Sequence, residues 1–183
     1  MRIDETSIPE VKLLSPTRHA DARGFFSETW NRAALADAGI VADFVQDNHA
    51  QSRQAHTVRG LHWQEAPGEQ GKLIRVSRGA IFDVAVDLRP QSSTFSRHVT
   101  VMLSEENWHQ IWIPPGFAHG YCTVEPDTEV IYKVTAPWAP ELERGLLWCD
   151  PDLAIDWPLD SASLVVSPRD QTLPTWAEFM VSQ

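Results

Sequence analysis

Residues 80–88 read AIFDVAVDL. Phe82, Val84, Val86 and Leu88 fall on one side of this stretch, and Ile81, Asp83, Ala85 and Asp87 on the other. A period of two is the spacing of side chains on a pleated strand. The SRG of residues 77–79 reads as a tight turn, so KLIRV (72–76) and AIFDVAVDL are expected to form a hairpin. Downstream, HVTVMLS (98–104), HQIWIP (109–114), HGYCTV (119–124) and TEVIYKVT (128–135) read as further short strands, separated by SEEN, PPG and EPD.

Helix signals are few. NRAALADAG (31–39) offers Asn31 as N-cap, an alanine-rich turn and Gly39 as a stop. Past Pro140 the pattern is irregular until LPTWAEF (173–179), which reads as a short C-terminal helix acting as a lid or a packing element. Many closely spaced strands with little helix between them indicate an antiparallel sandwich or barrel rather than a βαβ fold, and a mainly β jelly roll is the expected form. At 183 residues the chain suffices for one sizeable core, so a single domain spanning 1–183 is expected.

A hydrophobic content of 43% and a charged content of 22% belong to a folded globule rather than a disordered chain. The formal net charge of -10 disfavours polyanionic partners, so nucleic acid and anionic membrane surfaces are not expected partners. MRIDETSIPEVKLL lacks the apolar segment of a signal peptide, and no window approaches the ~18 apolar residues of a membrane span. A cytoplasmic location is expected. Cys122 and Cys149 lack CxxC spacing, so neither a disulfide framework nor a thiolate zinc site is indicated.

Against this acidic background, VRGLHWQEAPGEQGKLIRV (58–76) gathers Arg59, His62, Lys72 and Arg75 on what read as strands. Burying an unpaired charge is costly, so either these side chains snorkel to solvent or an anionic ligand compensates them. A lone strand histidine is more often structural than catalytic, but His62 lies near an arginine, a lysine and two glycines, Gly60 and Gly71, that permit close backbone approach. The seven histidines include no HxH pair, and no metal centre is expected. Tyr132 shares a face with Val130 and Val134, which points its ring inward and makes its phenol a candidate proton donor. Strict alternation sends Arg59 and His62 to opposite faces. Either a bulge at Gly60 brings them together or Arg59 reaches a ligand from the rim or across a subunit interface.

Taken in order, RGFFSETW, FVQDNH, VRGLHWQ, QGKLIRV, FDVAVDLR, STF, LSEEN, WIPPGFAHG, EVIYK and ERGLLWCDPDLAIDWP resemble the successive blocks of the dTDP-4-dehydrorhamnose 3,5-epimerase family, from about residue 23 to 170. The resemblance implies a cupin-type jelly-roll homodimer, without metal or other cofactor, acting on dTDP-4-dehydro-6-deoxy-glucose. It further implies His62 as base, Asp170 as its support, Tyr132 as acid and Lys72 facing the C4 ketone oxygen. Arg23, Phe26, Glu28, Gln46, Asn48, Arg59, His119, Glu143 and Arg169 would line the nucleotide and sugar pockets. Trp138 stands where an aromatic residue, commonly tyrosine, stacks on thymine; Ala136 and Pro137 replace a more usual polar-aromatic pair, and Arg169 stands where lysine is frequent. A related nucleotide-sugar 3-epimerase, 5-epimerase or 3,4-ketoisomerase, or a jelly roll that binds a sugar nucleotide without turning it over, remain the competing readings.

Overall fold

The chain runs through β1 (Arg2–Glu5), β2 (Lys12–Ser15), β3 (His19–Asp21), β4 (Gly24–Phe26), α1 (Arg32–Asp37), β5 (Gln46–Ser52), β6 (Thr57–Gln64), β7 (Lys72–Arg78) and β8 (Ala80–Asp87). It continues with β9 (His98–Ser104), β10 (Gln110–Ile113), β11 (Phe117–Thr123), β12 (Thr128–Val134), β13 (Glu143–Gly145), β14 (Val165–Val166) and α2 (Trp176–Val181). This computed structural model describes residues 1–159 and 162–182; Asp160, Ser161 and Gln183, which fall within the expected 1–183 domain, lie outside the described residues.

Two antiparallel sheets form the jelly roll. One has the order β1-β2-β10-β7-β12-β5, the other β13-β6-β11-β8-β9 with β14 added in parallel to β6, and β3 and β4 form a separate hairpin. Ile74, Val76 and Val130 of the first sheet meet Ile81, Ala85, Val99, Leu103 and Tyr121 of the second in the core between them. Full burial of such an aliphatic side chain contributes about 1.5–3 kcal/mol.

The expected hairpin between 72–76 and 80–88 does not form: β7 pairs with β10 and β12, whereas β8 pairs with β11 and β9. Gly79, at φ +73, is a corner that carries the chain from one sheet to the other, and a Cβ there would lie 2.4 Å from Thr128 Oγ1. Alternation marks a strand but not its neighbour. Both faces of β8 are covered. Ile81 and Ala85 face the inter-sheet core, while Val84, Val86 and Leu88 face an outer layer with Leu61, Ala118, Leu146, Leu153 and Phe179.

That outer layer is built by the C-terminal segment, so α2 is a packing element. Thr175 caps it in a reciprocal capping box with Glu178. Phe179 meets the edge of Trp63 at 5.6 Å between ring centroids. In α1, Asn31 accepts the N–H of Ala34, and Gly39 at φ +81 follows the last turn, as the sequence indicates.

On β6, Arg59 pairs with Tyr121 and His62 with His119, so three steps on β6 match two on β11. The extra residue is a bulge, and it places Arg59 and His62 on the same inward side. Gly60 adopts φ +109 there, and a Cβ would lie 2.6 Å from His119 O and 2.8 Å from Gly120 Cα. Gly60→Ala is therefore expected to destabilise the protein by about 2–3 kcal/mol, from left-handed backbone strain plus displacement of β11. A urea melt showing no change in midpoint would refute this reading of the bulge.

Candidate active site

Between the sheets, β5, β7 and β12 face β6 and β11 across two adjoining cavities of about 310 and 480 Å³. His62, Lys72 and Tyr132 line both, so the three side chains stand at their junction. Strand alternation brings each there. Lys72 lies on the face of Ile74 and Val76, Tyr132 on the face of Val130, and His62 is turned inward by the bulge.

His62 Nε2 lies 2.7 Å from Asp170 Oδ1, and Asp170 Oδ2 accepts the Gly60 N–H at 3.2 Å. Burial alone would raise the Asp170 carboxyl, but hydrogen bonds from His62 and the Gly60 amide hold it below the usual carboxylate range. An ionised Asp170 assigns the Nε2 proton to His62, which leaves Nδ1 with the lone pair. Asp170 stands on the short 3-10 turn Asp170–Thr172, well separated in sequence from His62.

Lys72 is buried, and its Nζ donates to His62 O at 3.3 Å. Burial brings its ammonium down to about 8, against the opposing influence of Asp83 and Glu143. Burial likewise raises the Tyr132 phenol, with Arg59 pulling the other way, so the hydroxyl stays protonated at neutral pH.

His119 hydrogen-bonds Asp83 Oδ2 at 2.8 Å. Its basicity is lowered, chiefly by burial and further by Lys72 and His62, so it stands as a neutral imidazole. Among the described residues, the second oxygen of the fully buried Asp83 has no hydrogen-bond partner. Sequence reading counted Asp83 only in the strand alternation. An acid on the inward face of an apolar strand is the signal that marks it, because such a group needs a donor there.

Around the first cavity stand Gln46, Asn48, Trp138 and Glu143; around the second, Arg59, His119, Tyr121, Arg169 and Asp170. Arg59 is exposed at the rim, where Nε donates to Ser52 Oγ at 3.2 Å and Nη2 to Gln51 O at 3.0 Å. Bulge and rim position thus both apply to it. Arg169 pairs with Glu143 at 2.8 Å, and Trp138 is 59% exposed with its indole N–H directed at Glu143. Gln64, Gln70, Tyr121 and Ser167 also line the cavities and carried no sequence signal.

Three candidates are not brought to this chain's cavities. Arg23, Phe26 and Glu28 belong to the β3–β4 hairpin and the residues after it, with Phe26 71% exposed and Arg23 paired with its neighbour Asp21. The hairpin is nevertheless anchored. The Arg18 guanidinium lies over the rings of Phe25 and Trp108, at 5.6 and 5.1 Å, and Trp108 Nε1 donates to Ser27 Oγ. Among the described residues, no group of three or more His, Cys, Asp or Glu side chains is arranged to hold a metal ion, and no helix is long and apolar enough to cross a membrane.

The arrangement pairs a carboxylate-supported imidazole with a protonated phenol and an ammonium around one space, a set suited to moving a proton on and off a carbon next to a carbonyl. Comparison with known proteins identifies the family. A dTDP-4-dehydrorhamnose 3,5-epimerase from Sinorhizobium fredii is 48% identical over 186 residues, covering 100% of this chain and 93% of that protein. The crystal structure of the Bacillus anthracis dTDP-4-dehydrorhamnose 3,5-epimerase with TDP and PPi bound superposes with a TM-score of 0.92 at 45% identity, covering 95% of this chain and 98% of that one. The Legionella pneumophila dTDP-6-deoxy-D-glucose-3,5-epimerase in complex with dTDP-4-keto-L-rhamnose gives a TM-score of 0.91 at 43% identity over 95% and 92% of the two chains. The family model for dTDP-4-dehydrorhamnose 3,5-epimerase matches residues 5–178, and the chain belongs to that family.

Proposed function

We propose that this protein, acting as one jelly-roll unit, epimerises C3 and C5 of dTDP-4-dehydro-6-deoxy-D-glucose to give dTDP-4-dehydro-L-rhamnose. The observation that carries the mechanism is the meeting of His62, Lys72 and Tyr132 at the junction of the two cavities. His62 Nδ1 takes the proton from the carbon next to the C4 ketone. The C–H electron pair passes into the new C–C double bond as the carbonyl pair moves onto oxygen. Lys72 donates a hydrogen bond to that enolate oxygen, an interaction of a kind that contributes roughly 3–4 kcal/mol in the transition state. The Tyr132 O–H then delivers a proton to the opposite ring face, which inverts the centre. His62 and Tyr132 reset by exchange with solvent, and the cycle repeats at the second carbon.

Asp170 keeps His62 in the productive tautomer and stabilises the imidazolium that forms. The sugar nucleotide's pyrophosphate is met by Arg59 and Arg169, and the base by the exposed face of Trp138. The charge of the substrate and of the enolate compensates Arg59 and Lys72, whereas Arg75 lies on the opposite face of β7 beside Asp47 and takes no part in the site. The reaction is assigned to the side chains of His62, Lys72, Tyr132 and Asp170. We also place the enzyme in the cytoplasm, a compartment in which the free thiols Cys122 and Cys149 stay reduced.

The same proposal makes the enzyme a homodimer in which the β3–β4 hairpin serves the partner. The exposed Phe26 and the anchored, outward-facing hairpin support it, because Arg23, Phe26 and Glu28 can then reach a cavity they do not reach in their own chain. Co-expressed Arg23→Ala and His62→Ala chains are expected to regain activity that neither homodimer has, since one mixed site carries both native residues. Absence of that complementation would remove the shared site.

Incubation with dTDP-4-dehydro-6-deoxy-D-glucose in heavy water is expected to place deuterium at both C3 and C5. Label at one carbon alone would make the enzyme a mono-epimerase, and no label in either would make it a binding module. Asp170→Asn is expected to lower kcat by about 10²–10⁴ while TDP binds normally. The kcat/KM profile of the free enzyme is expected to fall above pH about 8 as Lys72 loses its proton. Lys72→Arg should move that limb to higher pH whatever its rate, and a limb that stays in place would assign the titration elsewhere.

A further inference from the structure

The loop that carries Trp138 lies between β12 and β13, and burial does little to hold it. Pro137, Trp138 and Pro140 are exposed, and Ala136 and Ala139 are only half-buried. Side-chain amides hold it instead. Gln64, at the end of β6 and 4% exposed, accepts the Ala139 N–H on Oε1 at 2.8 Å and donates from Nε2 to Pro137 O at 3.1 Å. One buried amide therefore bridges the peptide groups on either side of Trp138. Its second N–H donates to Gly68 O at 2.6 Å and joins this loop to the one between β6 and β7.

Two further glutamines complete the hold. Gln46 Oε1 accepts the N–H of Trp138 itself at 3.0 Å, and Gln70 Nε2 donates to Ala136 O at 2.8 Å. Beyond them, Thr135 and Gly71 exchange bonds in both directions. An exposed indole on a loop of small residues and prolines would otherwise have to be ordered when a ligand arrives, and that ordering weakens binding. The buried Gln64 amide is one that an apolar core would not choose, since its polar atoms need partners, yet every one of its donors is spent on loop backbone.

We propose that Gln64 is a positioning residue for nucleotide recognition: it sets the indole of Trp138 in its stacking orientation before the nucleotide binds, and it acts through Trp138. This rests on the reading of Trp138 as the residue that stacks on the base. A double-mutant cycle with TDP as the probe tests it, comparing wild type, Gln64→Met, Trp138→Ala and the double variant by calorimetry. Each single substitution is expected to weaken TDP about tenfold, and the double variant to bind as Trp138→Ala does, because the amide has nothing left to position. In turnover, Gln64→Met is expected to raise KM with kcat within about twofold.

Additive losses, or an unchanged KM with only a lower Tm, would overturn the proposal and leave Gln64 a structural residue. Normal TDP affinity in Trp138→Ala would instead sink the stacking assignment on which it rests. Should Gln64→Met fail to fold, Gln70→Ala, which removes the donation to Ala136 O, replaces it in the cycle. Non-additivity with Trp138→Ala is again the expected result, and additivity again refutes the proposal.

Discussion

One additional residue in β6 sets the direction of everything that follows in the cavity. A strand in strict alternation would turn either Arg59 or His62 outward, and the site would lose a cation or its imidazole. The bulge at Gly60 restores both to the inward side opposite Tyr121 and His119. Only glycine suits φ +109 with backbone of β11 directly above it. The same peptide then donates its N–H to Asp170, so the residue that redirects His62 also helps to hold the carboxylate that orients it. Backbone geometry and proton chemistry are joined at one point.

Charge is handled locally in this acidic protein. Asp170, Asp83 and Glu143 each answer a particular basic group: His62, His119 and Arg169. Among the described residues Lys72 has no carboxylate in contact, only His62 O, and burial lowers its hold on the proton. An ammonium in that condition gains most when negative charge appears beside it, which is what an enolate oxygen supplies. Preorganisation of this kind is costly in the resting protein, and the two sheets around it, with the aromatic layer of Trp63, Trp157, Trp176 and Phe179 outside, provide the rigidity that sustains it.

Legibility in the sequence followed apolar pattern. Strands β8 to β12 were readable because they turn hydrophobic residues to a core at every second position. Strand β5, QDNHAQS, was not, because its inward residues Gln46, Asn48 and Ala50 line a cavity instead of a core. Arg59, His62, Lys72 and Tyr132 were singled out by charge and strand pattern, whereas the other candidate site residues came only from the ordered blocks of family resemblance. Asp83 and Gln64 escaped because their roles depend on His119 and on the Trp138 loop, partners remote in the chain.

What the amino-acid order determined by itself was local: the pleat of AIFDVAVDL, the Asn31 cap and Gly39 stop of α1, a break in the chain at Gly79, and the chemical identity of the groups available. These depend on near neighbours and on intrinsic backbone preference. Tertiary structure alone decided that β7 and β8 belong to different sheets, that Arg59 and His62 share a face, and that the hairpin with Arg23 and Phe26 stands away from its own chain's cavity. Pairing partners and burial arise from contacts between distant segments, and no period in the chain encodes which distant segment that will be.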